Sequence, residues 1–250
     1  MSKSLVIIPT YNEKENVQSI IEAVLSQEVP FHVLIVDDNS PDGTAAIVEE
    51  LQQDLFFKDR LFIEKREGKL GLGTAYIHGF KYALDKGYDY VFEMDADFSH
   101  NPSDLVPMYK AASIDKFDVV IGSRYVQGVN VVNWPIGRVL MSIFASWYVR
   151  TITGLPIHDT TAGFKCYRRV VLETIELDKI KFVGYAFQIE MKFSAWRCGF
   201  RIKEIPIIFT DRTKGESKMS KGIFKEAVFG VMQMKIKSWF RKYPKAPGKA

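Results

Sequence analysis

Cysteine is almost absent from this 250-residue chain. Cys166 and Cys198 stand alone, which leaves no disulfide framework, no zinc ribbon and no thiol-redox motif, and points to a reducing compartment. The four histidines are scattered and make no zinc-type pair. Long apolar runs are missing too. The longest, Val139 to Val149, is closed off by Arg138 and Arg150 and falls far short of the roughly 20 residues of a membrane-spanning helix. No signal peptide precedes the first apolar run, and no repeat, low-complexity tract or linker interrupts the chain. A hydrophobic fraction of 47% and a charged fraction of 26% are those of an ordinary folded protein. This length is enough for one sizeable core with a small appendage.

Charge is unevenly spread. Residues 221–250 hold eight Lys or Arg and one Glu, a net +7, whereas residues 1–220 carry a net −3. Such asymmetry suggests an anionic surface as partner, membrane or nucleic acid. We therefore divide the chain into a domain over 1–220 and a basic amphipathic helix and tail over 221–250.

What the chain does have is alternation. Leu5-Val6-Ile7-Ile8, Val33-Leu34-Ile35-Val36, Leu61-Phe62-Ile63, Tyr90-Val91-Phe92-Glu93 and Val119-Val120-Ile121 read as strands, the first two apolar throughout and so buried on both faces. Between them, residues such as Val17, Ile20, Ile21, Val24 and Leu25 recur at helical spacing. The pattern predicts an α/β fold, a mostly parallel sheet with helices on both faces. Right-handed crossovers bring the strand ends to one edge. There the polar loops converge: Tyr11 and Glu13, Asp37 and Asp38, Asp95 and Asp97, and Arg124. The second half is less regular. Helices are expected over 138–153, 187–196 and 222–240, a short strand after the loop 159–165, and one strand over 200–209.

Asp95 and Asp97, one residue apart at a strand end, are the strongest chemical signal. Closely spaced carboxylates repel unless a cation offsets them. Mg²⁺ is held by one or two carboxylates, waters and substrate phosphate oxygens. A solvated acidic turn is the plain alternative for so short a pattern. Gly71-Leu72-Gly73 begins like a dinucleotide fingerprint but lacks the last glycine and the later acid, which argues against a nicotinamide or flavin site. Asp42 before Gly43-Thr44 reads as a helix cap. Arg212-x-x-Gly215-x-Ser217-Lys218 has the form of a glycine-hinged loop closing over a diphosphate, although any one of Arg124, Arg212 and Lys218 is by default a solvated charge. Cys166, His158 and His78 read as structural, and Asp159 has no role that the sequence assigns.

Taken in order, Ile8-Pro9-Thr10-Tyr11-Asn12-Glu13, the acidic loop 36–44, Met94 to His100, Gly122-Ser123-Arg124-Tyr125, Asp159 to Phe164 and Arg212 to Lys218 resemble glycosyltransferase family 2, in particular its polyprenyl-phosphate (dolichyl-phosphate) mannosyltransferases. The six matching stretches cover nearly all of the chain. The resemblance implies a nucleotide-sugar-binding domain of GT-A type. Pro9, Tyr11, Glu13, Val36 and Asp38 would surround the base and ribose. Asp95 and Asp97 would hold Mg²⁺ or Mn²⁺ on the diphosphate, with Ala96 and Ser99 nearby. Arg212 and Lys218 would grip the donor phosphates, and Arg124 and Arg138 the lipid phosphate. Asp97, Arg124, Arg138, Arg212 and Lys218 are thus the expected catalytic set.

The implied reaction transfers mannose from GDP-mannose to a polyprenyl phosphate with inversion. It would take place at the cytoplasmic face of a membrane, with the enzyme attached peripherally. Many relatives carry transmembrane helices after the catalytic domain; this chain is expected to be of the short type, and whether a membrane-anchoring subunit assists is left open. Glucose transfer from UDP-glucose, a protein or saccharide acceptor needing a general base, and a non-catalytic binding module are the alternatives. Nucleic acid is disfavoured, because the acidic edge would repel a phosphate backbone.

Overall fold

A computed structural model describes residues 2–211 and 222–248. Its centre is a seven-stranded sheet in the order β3-β2-β1-β4-β7-β5-β8. The strands are β1 (Ser4–Thr10), β2 (Phe31–Asp37), β3 (Leu61–Lys65), β4 (Tyr90–Glu93), β5 (Val119–Ser123), β7 (Lys165–Arg168) and β8 (Ile202–Pro206). Two short strands, β6 (Val131–Val132) and β9 (Phe209–Thr210), pair apart from it.

The apolar runs of β1 and β2 are buried on both faces, as their composition requires. Alternate residues go to opposite sides. Leu5, Ile7, Leu34 and Val36 join the core under α3 (Leu72–Asp85), α6 (Arg169–Thr174) and α7 (Tyr185–Arg197). Val6, Ile8, Val33 and Ile35 join the core under α1 (Val17–Leu25), α2 (Thr44–Leu51) and α4 (Leu105–Ser113). Helices therefore cover both faces, as the sequence pattern predicts. Gly79 sits where α3 crosses β1: a Cβ there would come within 2.7 Å of the Ile7 side chain.

Three features differ from the sequence reading. The short strand β7 runs antiparallel between β4 and β5. The expected strand over 200–209 is two strands, because Pro206 ends β8 and the chain leaves the sheet to pair with β6. The helix α6 was not anticipated; six residues are too few for a periodic signal.

The reversal of β7 positions the site. In an antiparallel strand the first residue lies level with its neighbours' last ones, so the loop before Lys165 emerges at the same edge as the ends of β4 and β5. Glu93 and Lys165 are direct cross-strand partners. Their charges meet at 2.8 Å, and both side chains are fully buried. Removing one partner of such a pair leaves an uncompensated buried charge. Lys165→Met should therefore cost about 3–5 kcal/mol in urea unfolding. Adding Glu93→Leu to it should recover most of that loss.

Helix α5 (Ile136–Thr153) packs through Val139, Ser146, Val149 and Thr153. Helix α8 (Gly222–Phe240) packs through Val231 and Met234 against Val149, Ile189 and Phe193. Lys235 Nζ donates to the Thr153 carbonyl at 3.2 Å, on the last turn of α5, where the helix dipole favours a cation.

Candidate active site

A cleft of about 470 Å³ opens at the edge where β1, β2, β4 and β5 end. Its near wall comes from the first two loops. Thr10 Oγ1 and Ser40 Oγ both donate to Asp37 Oδ1, at 2.8 and 2.7 Å, and Asn12 N–H donates to Ser40 Oγ at 3.0 Å. Asn12 and Asn39 take left-handed backbone conformations, which asparagine tolerates. Asp37 thus ties the loops together and is buried. Asp42 Oδ1 accepts from Thr44 N–H and its hydroxyl at 3.0 and 2.6 Å, which is the expected cap in substance, although Gly43 is the flanking residue.

Pro9, Tyr11, Glu13 and Asp38 line this wall. Lys69 Nζ stands 4.9 Å from the centre of the Tyr11 ring. Asp38 accepts from Arg66 Nε at 2.6 Å, and Arg66 NH1 donates to Thr74 Oγ1 at 2.7 Å. Burial raises the Asp38 carboxyl despite the guanidinium, which pulls the other way. Val36 does not line the cleft; its side chain belongs to the core.

Asp95, Ala96, Asp97 and Ser99 form the middle. Asp97 Oδ1 accepts from Ser99 N–H at 3.1 Å, and Tyr76 Oη approaches Asp95 Oδ1 at 3.5 Å. Phe98 between them has a φ of 58°, a strained value for a bulky side chain and a frequent mark of functional turns. His100, which the sequence flagged only as part of a motif, braces this turn. Its Nδ1 accepts the Asp95 N–H at 3.2 Å, so the ring's remaining proton sits on Nε2. The ring stacks on Phe164 at 4.8 Å. Burial lowers its pKa to about 4, against the pull of Asp97, and keeps it neutral.

Among the described residues, no three His, Cys, Asp or Glu side chains form a metal cluster. The donor set instead suits an ion shared with a substrate. Two carboxylates border open cleft, and the Ser99 Oγ beside them is buried without a partner among the described residues. A divalent cation there would complete its shell with phosphate oxygens and water.

The far wall carries two arginines. Arg124 is locked: its Nε donates to Asp159 Oδ2 at 2.7 Å, one terminal nitrogen to Asp159 Oδ1 at 2.6 Å, and its backbone N–H to Oδ2 at 3.0 Å. Thr161 Oγ1 takes a further bond at 2.8 Å. Tyr125, Trp134 and Phe209 surround the guanidinium at 5.2–5.6 Å. Arg138 is held differently. Its guanidinium lies 3.9 Å from the centre of the Trp134 ring and bonds Asp211 at 2.9 and 3.0 Å, and its side chain is 38% exposed. Arg212 and Lys218 lie outside the described residues.

Asp159 thus acquires a role that no local signal announced, as the buried counter-ion of Arg124. Burial alone raises its carboxyl, but the guanidinium and its hydrogen bonds outweigh that and hold it below the usual carboxylate range. A depressed carboxyl contributes stability above its unfolded pKa and loses it as pH falls through the folded one. Wild-type stability should therefore fall on acidification below about pH 4. Asp159→Asn should lose about 3 kcal/mol at neutral pH and show a flatter acid limb. Urea unfolding across that range, followed by fluorescence, measures both.

The comparisons with known proteins agree with this geometry. The chain is 46% identical to a polyprenol monophosphomannose synthase of Mycolicibacterium smegmatis over 94% of its own length and 88% of the relative's. It is 44% identical to an undecaprenyl-phosphate mannosyltransferase of Micrococcus luteus over 91% of each. Its fold is like that of glucosyl-3-phosphoglycerate synthase from Mycobacterium tuberculosis, solved with Mn²⁺ and UDP, at a TM-score of 0.65 and 15% identity over 94% and 79% of the two chains. A mannosyltransferase from Pyrobaculum calidifontis, solved with GDP-Man and Mn²⁺, gives 0.61 and 17% over 98% and 66%. These two likenesses place the chain among GT-A-like folds. The model of glycosyl transferase family 2 matches residues 5–176, and with the two close relatives it shows that the chain belongs to that family.

Proposed function

We propose that this protein transfers mannose from GDP-mannose to a polyprenyl phosphate, with inversion at the anomeric carbon. One observation carries the reading: a single cleft holds a carboxylate pair, Asp95 and Asp97, on one side and two arginines, Arg124 and Arg138, on the other. The names of the 46% and 44% identical relatives support the sugar and the lipid, and the GDP-Man bound by the mannosyltransferase of similar fold supports the donor.

The residues then divide the work. Pro9, Tyr11, Glu13 and Asp38 hold the nucleoside. Asp95 and Asp97 hold a divalent cation, Mg²⁺ or Mn²⁺, whose contribution when bound is to neutralise charge on the leaving diphosphate. Arg124 and Arg138 orient the acceptor phosphate. One of its oxygens forms the new bond to the anomeric carbon as the bond to the diphosphate oxygen breaks. A phosphate monoester has its second pKa near 6, so the nucleophile is already an anion at neutral pH and needs no general base. The His–carboxylate pairs His78–Glu64 and His158–Glu204 do not border the cleft; His100 and Asp95 do, 4.0 Å apart, with His100 Nδ1 taken up by the Asp95 N–H.

A panel of nucleotide sugars offered with undecaprenyl phosphate and Mg²⁺ tests the reading. GDP-mannose should give the most lipid-phase product. Asp97→Asn should remove most of that product without changing the melting temperature, because its side chain borders the cleft and packs no core. Preference for UDP-glucose would reassign the donor.

The acceptor's long chain stays in a bilayer, so the protein must reach one. No helix among the described residues is long and apolar enough to cross a membrane. Two helices are apolar on the outside instead. On α5, Leu140, Phe144 and Trp147 are 57–60% exposed, on the helix whose first turn carries Arg138. On α8, Ile236, Trp239 and Phe240 are exposed beside Lys237. The side chains of Ile223, Lys225, Ala227 and Val228, and all of Lys221, lie outside the described residues. A helix lying in the membrane interface places aromatics toward the acyl boundary and cations toward anionic headgroups. Replacing Phe144 and Trp147 with Asp should reduce cosedimentation with anionic vesicles by about tenfold or more, with GDP binding intact. Unchanged cosedimentation would remove α5 from the membrane contact.

A further inference from the structure

Gln188 is the fourth residue of α7, and its side chain borders the cleft. The residue is 4% exposed, and its Oε1 is buried with no hydrogen-bond partner among the described residues. Buried polar atoms are nearly always paired, and an unpaired one is costly to keep. Elsewhere on its helix, Phe187 and Met191 belong to the core under the sheet, Ile189 and Phe193 pack toward α5 and α8, and the buried Glu190 and Lys192 have partners, the Lys181 and Phe182 N–H groups and the Ala162 carbonyl. An apolar side chain at 188 would avoid the cost. The amide makes physical sense if its partner arrives from the cleft.

Its place narrows what that partner is. A Cβ built on Gly163 would lie 3.8 Å from Gln188 Nε2 and 3.6 Å from His100 Cε1, so the three residues meet on the cleft floor. On one side, His100 braces the turn that carries Asp95 and Asp97. On the other, Thr161 bonds Arg124. If the function proposed above holds, the anomeric carbon must lie between the leaving diphosphate and the acceptor phosphate, with all three close to a line. The transferred hexose then sits over this floor. What a hexose offers there is hydroxyl groups, and an amide carbonyl oxygen accepts from an O–H. We infer that Gln188 is a specificity-determining residue of the donor site: a half-turn of its amide, which the soft terminal torsion allows, brings Oε1 to the cleft side now taken by Nε2, where it accepts a hydrogen bond from a hydroxyl of the transferred sugar.

Such a residue separates two kinds of behaviour. A site that hydrogen-bonds a substrate hydroxyl rejects an epimer that cannot supply it, because the buried acceptor is then left unpaired. A merely structural glutamine would instead matter to the unliganded protein. The test compares the full-length wild type with Gln188→Met, which is similar in length and apolar, and Gln188→Glu, which keeps an acceptor oxygen at the same reach. Melting temperature, binding of GDP with Mn²⁺, and transfer from GDP-mannose and its epimer GDP-glucose are measured for each.

Gln188→Met should melt at the wild-type temperature or above, since it removes an unpaired polar atom. It should bind GDP within about twofold of wild type and lose about tenfold in kcat/KM for GDP-mannose. Its preference between the two epimers should shrink by a similar factor, while Gln188→Glu retains the preference. The inference is overturned by an unchanged epimer preference in Gln188→Met, by identical behaviour of the Met and Glu variants, or by a fall in melting temperature with a parallel loss of GDP binding. If the wild type transfers no mannose, the proposed function fails separately. The same variants, compared on the hexose donor the protein does use and its epimer, still decide the role of Gln188.

Discussion

The buried ion pair between Glu93 and Lys165 joins the sheet to the site. Neither side chain reaches water, so each depends on the other for its charge. The two residues are also backbone neighbours in register, one at the end of β4 and the other at the start of β7. A slip of one residue would turn every side chain of β7 to the opposite face and leave both charges in apolar surroundings. An apolar pair of similar volume would often be as stable. What the charged pair adds is an unambiguous register. It falls two residues before Asp95 and two after Gly163, so the turn with the carboxylates and the loop with Asp159 and Thr161 are set against each other by one contact.

Below that contact the polar residues continue inward. Lys192 on α7 is fully buried and donates to the Ala162 carbonyl at 2.6 Å. Burial pushes its pKa down and the neighbouring Lys165 adds to that effect, against Asp159 and Glu93. Ala162 precedes Gly163 on the cleft floor, so Lys192 steadies from beneath the same loop that Arg124 grips through Asp159 and Thr161. His100 does the corresponding work for the carboxylate turn. The strained backbone at Phe98 is held between two hydrogen bonds, the Asp95 N–H to His100 and the Ser99 N–H to Asp97. A site prepared in this way orders its polar groups before substrate arrives, which is the condition for electrostatic stabilisation without reorganisation.

These supports explain how far the sequence could be read. β1 and β2 were legible because a strand buried on both faces must be apolar throughout, and β4 from its run Tyr90-Val91-Phe92 before the buried charge of Glu93. The strand-end loops were legible because turn formers and acids cannot continue a sheet. The direction of β7 was not, since Lys165-Cys166-Tyr167-Arg168 is four residues with no local mark of which neighbour it will join. The convergence of Tyr11, Glu13, Asp38, Asp95, Asp97 and Arg124 on one cleft followed from topology, whereas Pro9 and Arg138 were placed there only by the family resemblance. The partners of those residues did not: Asp159 for Arg124, Asp211 for Arg138 and Arg66 for Asp38 lie 35, 73 and 28 positions away in the chain. Val36 is a different case. It sits in the right motif, but strand alternation sends its side chain into the core.

The two arginines, equivalent in sequence, are physically different. Arg124 is buried, ringed by aromatic side chains and committed to Asp159 by a forked pair of hydrogen bonds. Such a guanidinium is pre-oriented, and it holds the loop 159–161 as much as it addresses any ligand. Arg138 stacks on Trp134 but shares its charge with a half-exposed Asp211, and an ion pair that accessible is worth little. A phosphate dianion entering the cleft can compete with the Asp211 carboxylate for Arg138 at small net cost, whereas displacing Asp159 from Arg124 would strand a fully buried charge. On the function proposed above, Arg138, at the head of the apolar helix α5, would be the arginine whose contacts exchange as the acceptor phosphate arrives. Arg124, its charge matched by Asp159, would give fixed N–H donors behind it. On that reading, the division would let an anionic headgroup be captured and released at the mouth of the cleft while the interior stays as it was folded.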